Sequence, residues 1–209
     1  MTELNKRILT SLLLIILFIL AITNKIFLTF ALFLIFCQIF HEFQLILKKI
    51  FIKKKILILI LFFLLIYLTI LIIVVWQILF LNEFLLKIEL LTIITVCISS
   101  DIGGYLFGKT FKGKKITKIS PNKTYSGMIG SYLILFLISF LIFKDFYEYI
   151  DLLIYISLIS TISQFGDIFI SFLKRKAKLK DTGNILPGHG GMLDRFDGII
   201  FAIPICLLI

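Results

Sequence analysis

Residues 56–81 read ILILILFFLLIYLTILIIVVWQILFL, a run without a single charged side chain. About 20 such residues suffice for a helix to cross the hydrocarbon layer of a bilayer. The run also lacks the period-two alternation of a membrane strand. Six more apolar segments occur, at 8–23, 26–47, 88–108, 127–143, 148–170 and 196–209. Hydrophobic residues make up 60% of the 209 and charged residues only 16%, against roughly 45–50% and 25% in soluble domains. The expected fold class is therefore all-α: a polytopic integral membrane helix bundle of about seven transmembrane helices, forming a single membrane domain over 1–209. The first segment has a basic flank, Lys6 and Arg7, but no small-residue cleavage site, so it reads as a helix rather than a leader. Cys37, Cys97 and Cys206 all lie in apolar runs and form no C-x-x-C pair, which excludes a disulfide framework and a cysteine zinc site.

The net charge is +10. In a soluble chain that would point to nucleic acid; here it reads as topology, because lysine and arginine collect on the cytoplasmic side. With the N-terminus inside and seven alternating spans, 19 of the 22 basic residues fall inside. Only Lys25, Lys87 and Lys144 fall outside. This gives an N-in, C-out arrangement and leaves nucleic acid unneeded. The outside loops, 24–25, 82–87 and 144–147, have no room for a domain. Chemistry is thus expected on two cytoplasmic loops of the catalytic half (101–209), namely 109–126 and 171–195, with 1–100 supplying N-terminal helices.

The second of these loops opens the longest polar run, SFLKRKAKLKDTGNILPGHGGMLDRFD from Ser171 to Asp197. Asp101 and Asp167 lie at membrane depth, where a carboxylate costs several kcal/mol unless it faces a polar cavity. If the sixth helix continues past the interface, Asp167, Ser171 and Lys174 share a face at i, i+4 and i+7. Asp194 and Asp197 share another. Converging carboxylates repel, and Mg²⁺, which takes one or two carboxylates plus water and phosphate oxygens, is the natural compensator. Between them Pro187, Gly188, Gly190 and Gly191 bracket His189, a turn whose N–H groups suit a phosphate. In the first loop, Ser120 and Thr124 are placed to hold phosphate oxygens and Lys123 to supply a point charge. Gly104 and Gly108, with Ser126 and Gly130, read as close-packing positions. His41 and Glu42, near the cytoplasmic end of the second segment, read chiefly as an interfacial anchor, with contact to the site as the alternative.

Together the two loops resemble the CDP-diacylglycerol synthase (phosphatidate cytidylyltransferase) family. The resemblance is carried by Ser171, Lys174-Arg175, Lys180-Asp181, Pro187, His189-Gly190-Gly191, Asp194-Arg195 and Asp197. Gly166-Asp167 also fits, as do Asp101 through Tyr105 and Gly108, followed by Ser120-Pro121-Asn122-Lys123-Thr124. It covers about 101–204. Tyr125-Ser126 stands where the family more often has Trp-Glu, and Gly198 where it often has Ser. The resemblance implies that CTP and phosphatidic acid give CDP-diacylglycerol and pyrophosphate, with Mg²⁺. It implies a bacterial inner membrane, with the active site facing the cytoplasm. Asp167 and Asp194 would hold the metal, with Asp197 and Asp181 near it. Lys123, Lys174, Arg175, Lys180 and Arg195 would neutralise phosphates, and His189 would orient one. Asp101, Ser120, Thr124, Ser171, Gly190 and Gly191 would complete the substrate site. The sequence leaves open whether a monovalent cation joins Mg²⁺ and whether the chain forms a homodimer. A CTP-dependent polyprenol or phytol kinase, an ether-lipid CDP synthase and a cation transporter stand as alternatives.

Overall fold

The computed structural model describes residues 24–81, 84–117, 120, 123–183, 185 and 190–207. The expected first span, 8–23, lies outside the described residues. Among those described, every extended element is helical. The chain order is α1 (Lys25–Ile50), α2 (Lys54–Leu81), α3 (Phe84–Phe111), α4 (Tyr125–Phe143), α5 (Tyr149–Lys176), α6 (Leu193–Ala202) and a 3₁₀ turn (Ile203–Leu207). Four stretches are long and apolar enough to cross a membrane: Lys25–Ile50, Lys54–Phe80, Tyr125–Phe143 and Tyr149–Lys176. They mark the chain as a membrane protein. The expected last span, 196–209, is different in kind. α6 has 10 residues, about 15 Å of rise, half the thickness of the hydrocarbon layer. Pro204, which lacks the N–H that an α-helix needs, falls in the 3₁₀ turn that follows.

Local chemistry sets the ends. Asn24 caps α1, its side chain accepting from the N–H groups of Ile26 at 3.0 Å and Phe27 at 3.2 Å. Thr124 caps α4 by accepting from Gly127 N–H at 3.1 Å. α5 closes with Lys178 in the left-handed region at φ 56°, where Leu179 N–H reaches back to the Lys174 carbonyl at 2.8 Å. That is the backbone pattern of a helix C-terminal cap.

The described residues form two compact units. One comprises the described part of Met1–Asn82 with Leu173–Phe196; the other comprises Glu83–Phe172 with Asp197–Ile209. In the first, α1 packs on α2 and carries the buried set Ile39, Glu42, Phe43, Ile46 and Leu47. In the second, α3, α4 and α5 meet through small and polar residues. Ser100 and Ser160 hydroxyls lie 3.1 Å apart, and the Gln164 amide donates to Ser131 and Ser160 at 3.1 Å each. Where lipid removes the hydrophobic drive between helices, such contacts are what select partners.

Gly103 and Gly130 are the tightest points of the α3–α4 seam. A Cβ on Gly103 would stand 2.5 Å from the Gly130 carbonyl oxygen, and one on Gly130 would overlap Phe107. Gly104, half of the expected G-x-x-x-G, has room: its nearest neighbours would be 3.8 and 3.9 Å away. Gly130→Ala should therefore destabilise the detergent-solubilised protein by about 1–3 kcal/mol. Gly104→Ala should be neutral or gain up to about 1 kcal/mol of helix propensity. Thermal unfolding followed by circular dichroism separates the two, and equal melting shifts would contradict this seam.

Candidate active site

In the second unit the loop after α3 folds back on itself. Lys115 bridges Thr124, Tyr125 N–H bonds the Lys114 carbonyl at 2.9 Å, and Ile116 N–H bonds the Lys123 carbonyl at 2.9 Å. Lys112 takes a left-handed backbone, φ 44°, to make the reversal. The fold-back delivers the Lys123 ammonium to the Asp167 carboxylate of α5 as an ion pair. Ser171, one turn further along α5, lies 3.4 Å from the other oxygen of Asp167. Asp101 on α3 is within electrostatic reach of both Asp167 and Lys123. The expected Asp101, Lys123, Asp167 and Ser171 are thus gathered. Ser120 contributes its carbonyl to Lys123 N–H at 3.1 Å. Thr124 spends its hydroxyl as the cap of α4. Asp197 lies on α6 beside Gly166 of α5, whose added Cβ would meet the Asp197 carbonyl at 2.9 Å.

The two departures from the family pattern also have local reasons. Ser126 accepts from Gly113 N–H at 3.1 Å, closing the fold-back. At Gly198 a Cβ would overlap the Ser163 hydroxyl, so a serine there requires that hydroxyl to rotate away.

In the first unit, Lys174 donates to Asp194 at 2.7 Å, with side chains only 12% and 11% exposed. The second Asp194 oxygen accepts from the N–H groups of Thr182 at 2.8 Å and Gly191 at 3.2 Å. Asp194 sits in the first turn of α6, where a carboxylate is favoured by the helix dipole. Arg175 reaches the Leu179 carbonyl at 3.2 Å. Arg175, Lys180, Asp181 and Arg195 are exposed. Gly190 takes φ +82°, a conformation natural only to glycine. His189, Pro187 and Gly188 lie outside the described residues.

Sequence reasoning treated Glu42 as an interfacial anchor; in the fold it is central. It is 1% exposed and accepts from Gln38 at 2.7 Å, the Thr182 hydroxyl at 2.6 Å, and the N–H groups of Met192 and Leu193 at 2.9 Å each. The available signal was Gln38 and Glu42 one turn apart inside an otherwise apolar run. Gly191, in the turn expected to offer N–H groups to a phosphate, has its N–H bonded to Asp194, and the N–H groups of Met192 and Leu193 are bonded to Glu42.

Burial pushes the Asp194 carboxyl up. The Lys174 ammonium and the Thr182 and Gly191 N–H groups outweigh it and hold the group below the usual carboxylate range. A depressed carboxylate contributes stability that is fully present above its unfolded value, about 3.9, and is lost as pH falls through the lower folded value. The melting difference between wild type and Asp194→Asn should therefore be constant above about pH 5 and shrink below about pH 4. A difference that does not change across that window in an acid melting series would rule this out.

Comparison with known proteins bears on these residues. The cytidylyltransferase family profile matches residues 5–209. The phosphatidate cytidylyltransferase of Rickettsia bellii is 46% identical over 123 residues, covering 53% of this chain and 52% of the relative. That of Rickettsia felis is 43% identical over 121 residues, 53% of each chain. That of Bacillus subtilis is 44% identical over 110 residues, 51% of this chain and 41% of the relative. The chain spans about half the length of the curated relatives it matches. Matched over residues 5–209, it belongs to the cytidylyltransferase family.

Proposed function

We propose that this chain transfers a cytidylyl group from CTP to phosphatidic acid, giving CDP-diacylglycerol and pyrophosphate. Most weight falls on Lys174 and Asp194: a motif-borne ammonium and carboxylate, held at 2.7 Å in a member of the cytidylyltransferase family. The substrate assignment is supported by the names of the relatives, which are phosphatidate cytidylyltransferases.

The lipid phosphate is already an anion at neutral pH. One of its oxygens attacks the α-phosphorus of CTP. An oxygen–phosphorus bond forms, the bond from the α-phosphorus to the bridging oxygen breaks, and pyrophosphate leaves with the electron pair. No proton need be removed, so the chain has to orient two anions in line and neutralise their charge. Lys123, Lys174, Arg175, Lys180 and Arg195 are the proposed neutralising groups. Ser120, Thr124 and Ser171 are the proposed contacts to phosphate oxygens, with Gly190 and Gly191 letting the backbone turn close to the substrate, Asp101 and Asp181 beside them and His189 orienting a phosphate.

Among the described residues no three His, Cys, Asp or Glu side chains gather to hold a metal. Mg²⁺ needs only one or two carboxylates and completes its shell with water and substrate phosphate. The donors offered, from Asp167, Asp194 and Asp197, are hard oxygens of the right chemistry. Mg²⁺ bound there would act as a Lewis acid on the phosphate oxygens. An N-in arrangement with both lysine-rich loops on the cytoplasmic face of a bacterial inner membrane belongs to the same proposal. The bias of basic residues supports it. CTP would then arrive from the cytoplasm and the lipid from the inner leaflet.

The test is purified protein in phosphatidic acid micelles with Mg²⁺ and each of the four nucleoside triphosphates, labelled at the α- or the γ-phosphate. The α-label of CTP should pass to lipid with release of pyrophosphate. Lipid labelled from the γ-position would instead mean a kinase and overturn the proposal. Asp167→Asn and Asp194→Asn should each lose at least about 10²-fold in turnover while still inserting in the membrane. Near-normal synthesis by either would refute its assigned role.

A further inference from the structure

We propose that Glu42 is the positioning residue for the Asp194 carboxylate, a role whose kinetic consequence rests on the cytidylyl-transfer reading. Each Glu42 oxygen receives two donors. One takes the Gln38 amide and Met192 N–H; the other takes the Thr182 hydroxyl and Leu193 N–H. All four partners donate, so a carboxylate satisfies them together. An amide at this position would set its NH₂ against at least one N–H or O–H. Gly183 and Gly191 complete the fit: a Cβ on Gly191 would stand 2.5 Å from one Glu42 oxygen, and a Cβ on Gly183 would stand 2.9 Å from the other.

The two segments that Glu42 pins are the two that hold Asp194. Asp194 accepts from Thr182 N–H and Gly191 N–H, and Glu42 bonds the Thr182 side chain and the next two peptides after Gly191. Thr182 has one hydroxyl proton and two carboxylates within reach. The 2.6 Å contact to Glu42 takes it rather than the 3.1 Å contact to Asp194. Asp194 is then held by backbone N–H groups, which cannot rotate away. Glu42 thus fixes the direction in which Asp194 faces Lys174 and acts only through it. Misplacing a reacting or charge-stabilising group by about 1 Å costs on the order of 10²-fold in rate.

The experiment compares wild type, Glu42→Gln, Thr182→Val and the double variant by initial-rate kinetics with CTP and phosphatidic acid. Amide hydrogen exchange over 180–195 is measured on the same preparations. Glu42→Gln should lower kcat about 10- to 100-fold and leave KM for CTP within about twofold. Exchange at 191–193 should speed up while the α5 amides keep their protection. Thr182→Val should lose less, and the double variant no more than Glu42→Gln. Folded Glu42→Gln with wild-type kcat, or with unchanged exchange at 191–193, overturns the proposal. So does a lowered KM with kcat retained, since Glu42 would then be competing with a phosphate for those N–H groups. If Glu42→Gln does not accumulate folded, Thr182→Val decides: unchanged kcat and unchanged exchange at 182–194 overturn it. Absence of cytidylyl transfer by wild type defeats the functional reading alone, and the exchange data still decide what Glu42 holds.

Discussion

An acidic side chain removed from water must find cations or N–H donors, and in this chain that demand decides which distant stretches fold together. Glu42 reaches across 140 residues to Thr182 and 151 to Leu193. Asp167 draws the fold-back after α3 onto α5 through Lys123. Apolar contact cannot supply such selection here, because a lipid tail is as good a neighbour for leucine as another helix is. Ile58, Leu59, Phe62 and Phe63 of α2, all exposed, illustrate the point: they specify a solvent and no partner. Polar satisfaction supplies the addresses. Removing one member of a buried, bonded pair costs several kcal/mol because the other is left uncompensated, so the address at Glu42, 1% exposed, is also strictly enforced.

The two ion pairs differ in how firmly they are made. Lys123 and Asp167 are 25% and 27% exposed, and the Ser171 hydroxyl at 3.4 Å is a long contact to Asp167. Partly exposed pairs contribute modest net stability, so in the proposed reaction exchanging the carboxylate for a substrate phosphate would cost the protein little. Asp194 is different. With backbone N–H groups on one oxygen and Lys174 on the other, it is built to stay where it is. In the proposed reaction this suits a division of labour. Lys123 is a mobile charge that follows the phosphate, and Asp194 is a fixed reference against which the charges are arranged.

Much of this was legible beforehand. The apolar runs at 26–47, 56–81, 127–143 and 148–170 became helices because hydropathy over a long window leaves a segment no other way to satisfy its backbone. The polar spacing of Asp167 and Ser171 also survived, since α5 runs on to Lys176. Other features escaped because they depend on partners far along the chain. Glu42 is one acid in an apolar stretch until Thr182 and residues 192–193 are brought to it. Thr124 looked like a phosphate ligand in the linear pattern. A threonine just before a glycine-containing helix start is equally a cap, and in the fold its oxygen does accept from Gly127 N–H. Motif spacing picks out Gly104, but the tighter approach is at Gly103, and which of two adjacent glycines packs closer is set by the crossing of the helices. The terminal run 196–209 was apolar enough for a span, but hydropathy does not register where Pro204 forces the helix to stop.

The glycine-rich turn brings these themes to one place. Glycines before a helix start commonly signal that an anion will sit on the bare N–H groups, and the sequence suggested a phosphate. The turn does hold anions, and they are the protein's own. Gly191 N–H serves Asp194, while Met192 and Leu193 N–H serve Glu42. A Cβ at 191 would overlap the Thr182 hydroxyl and crowd the Glu42 carboxylate, so glycine at 191 is explained by internal packing alone. The same physics that would bind a ligand has been turned inward to fix a helix start. In the proposed reaction, the lysines and arginines around the turn would supply most of the charge that meets the phosphates. Their reach and number suit two highly charged substrates better than three backbone donors would.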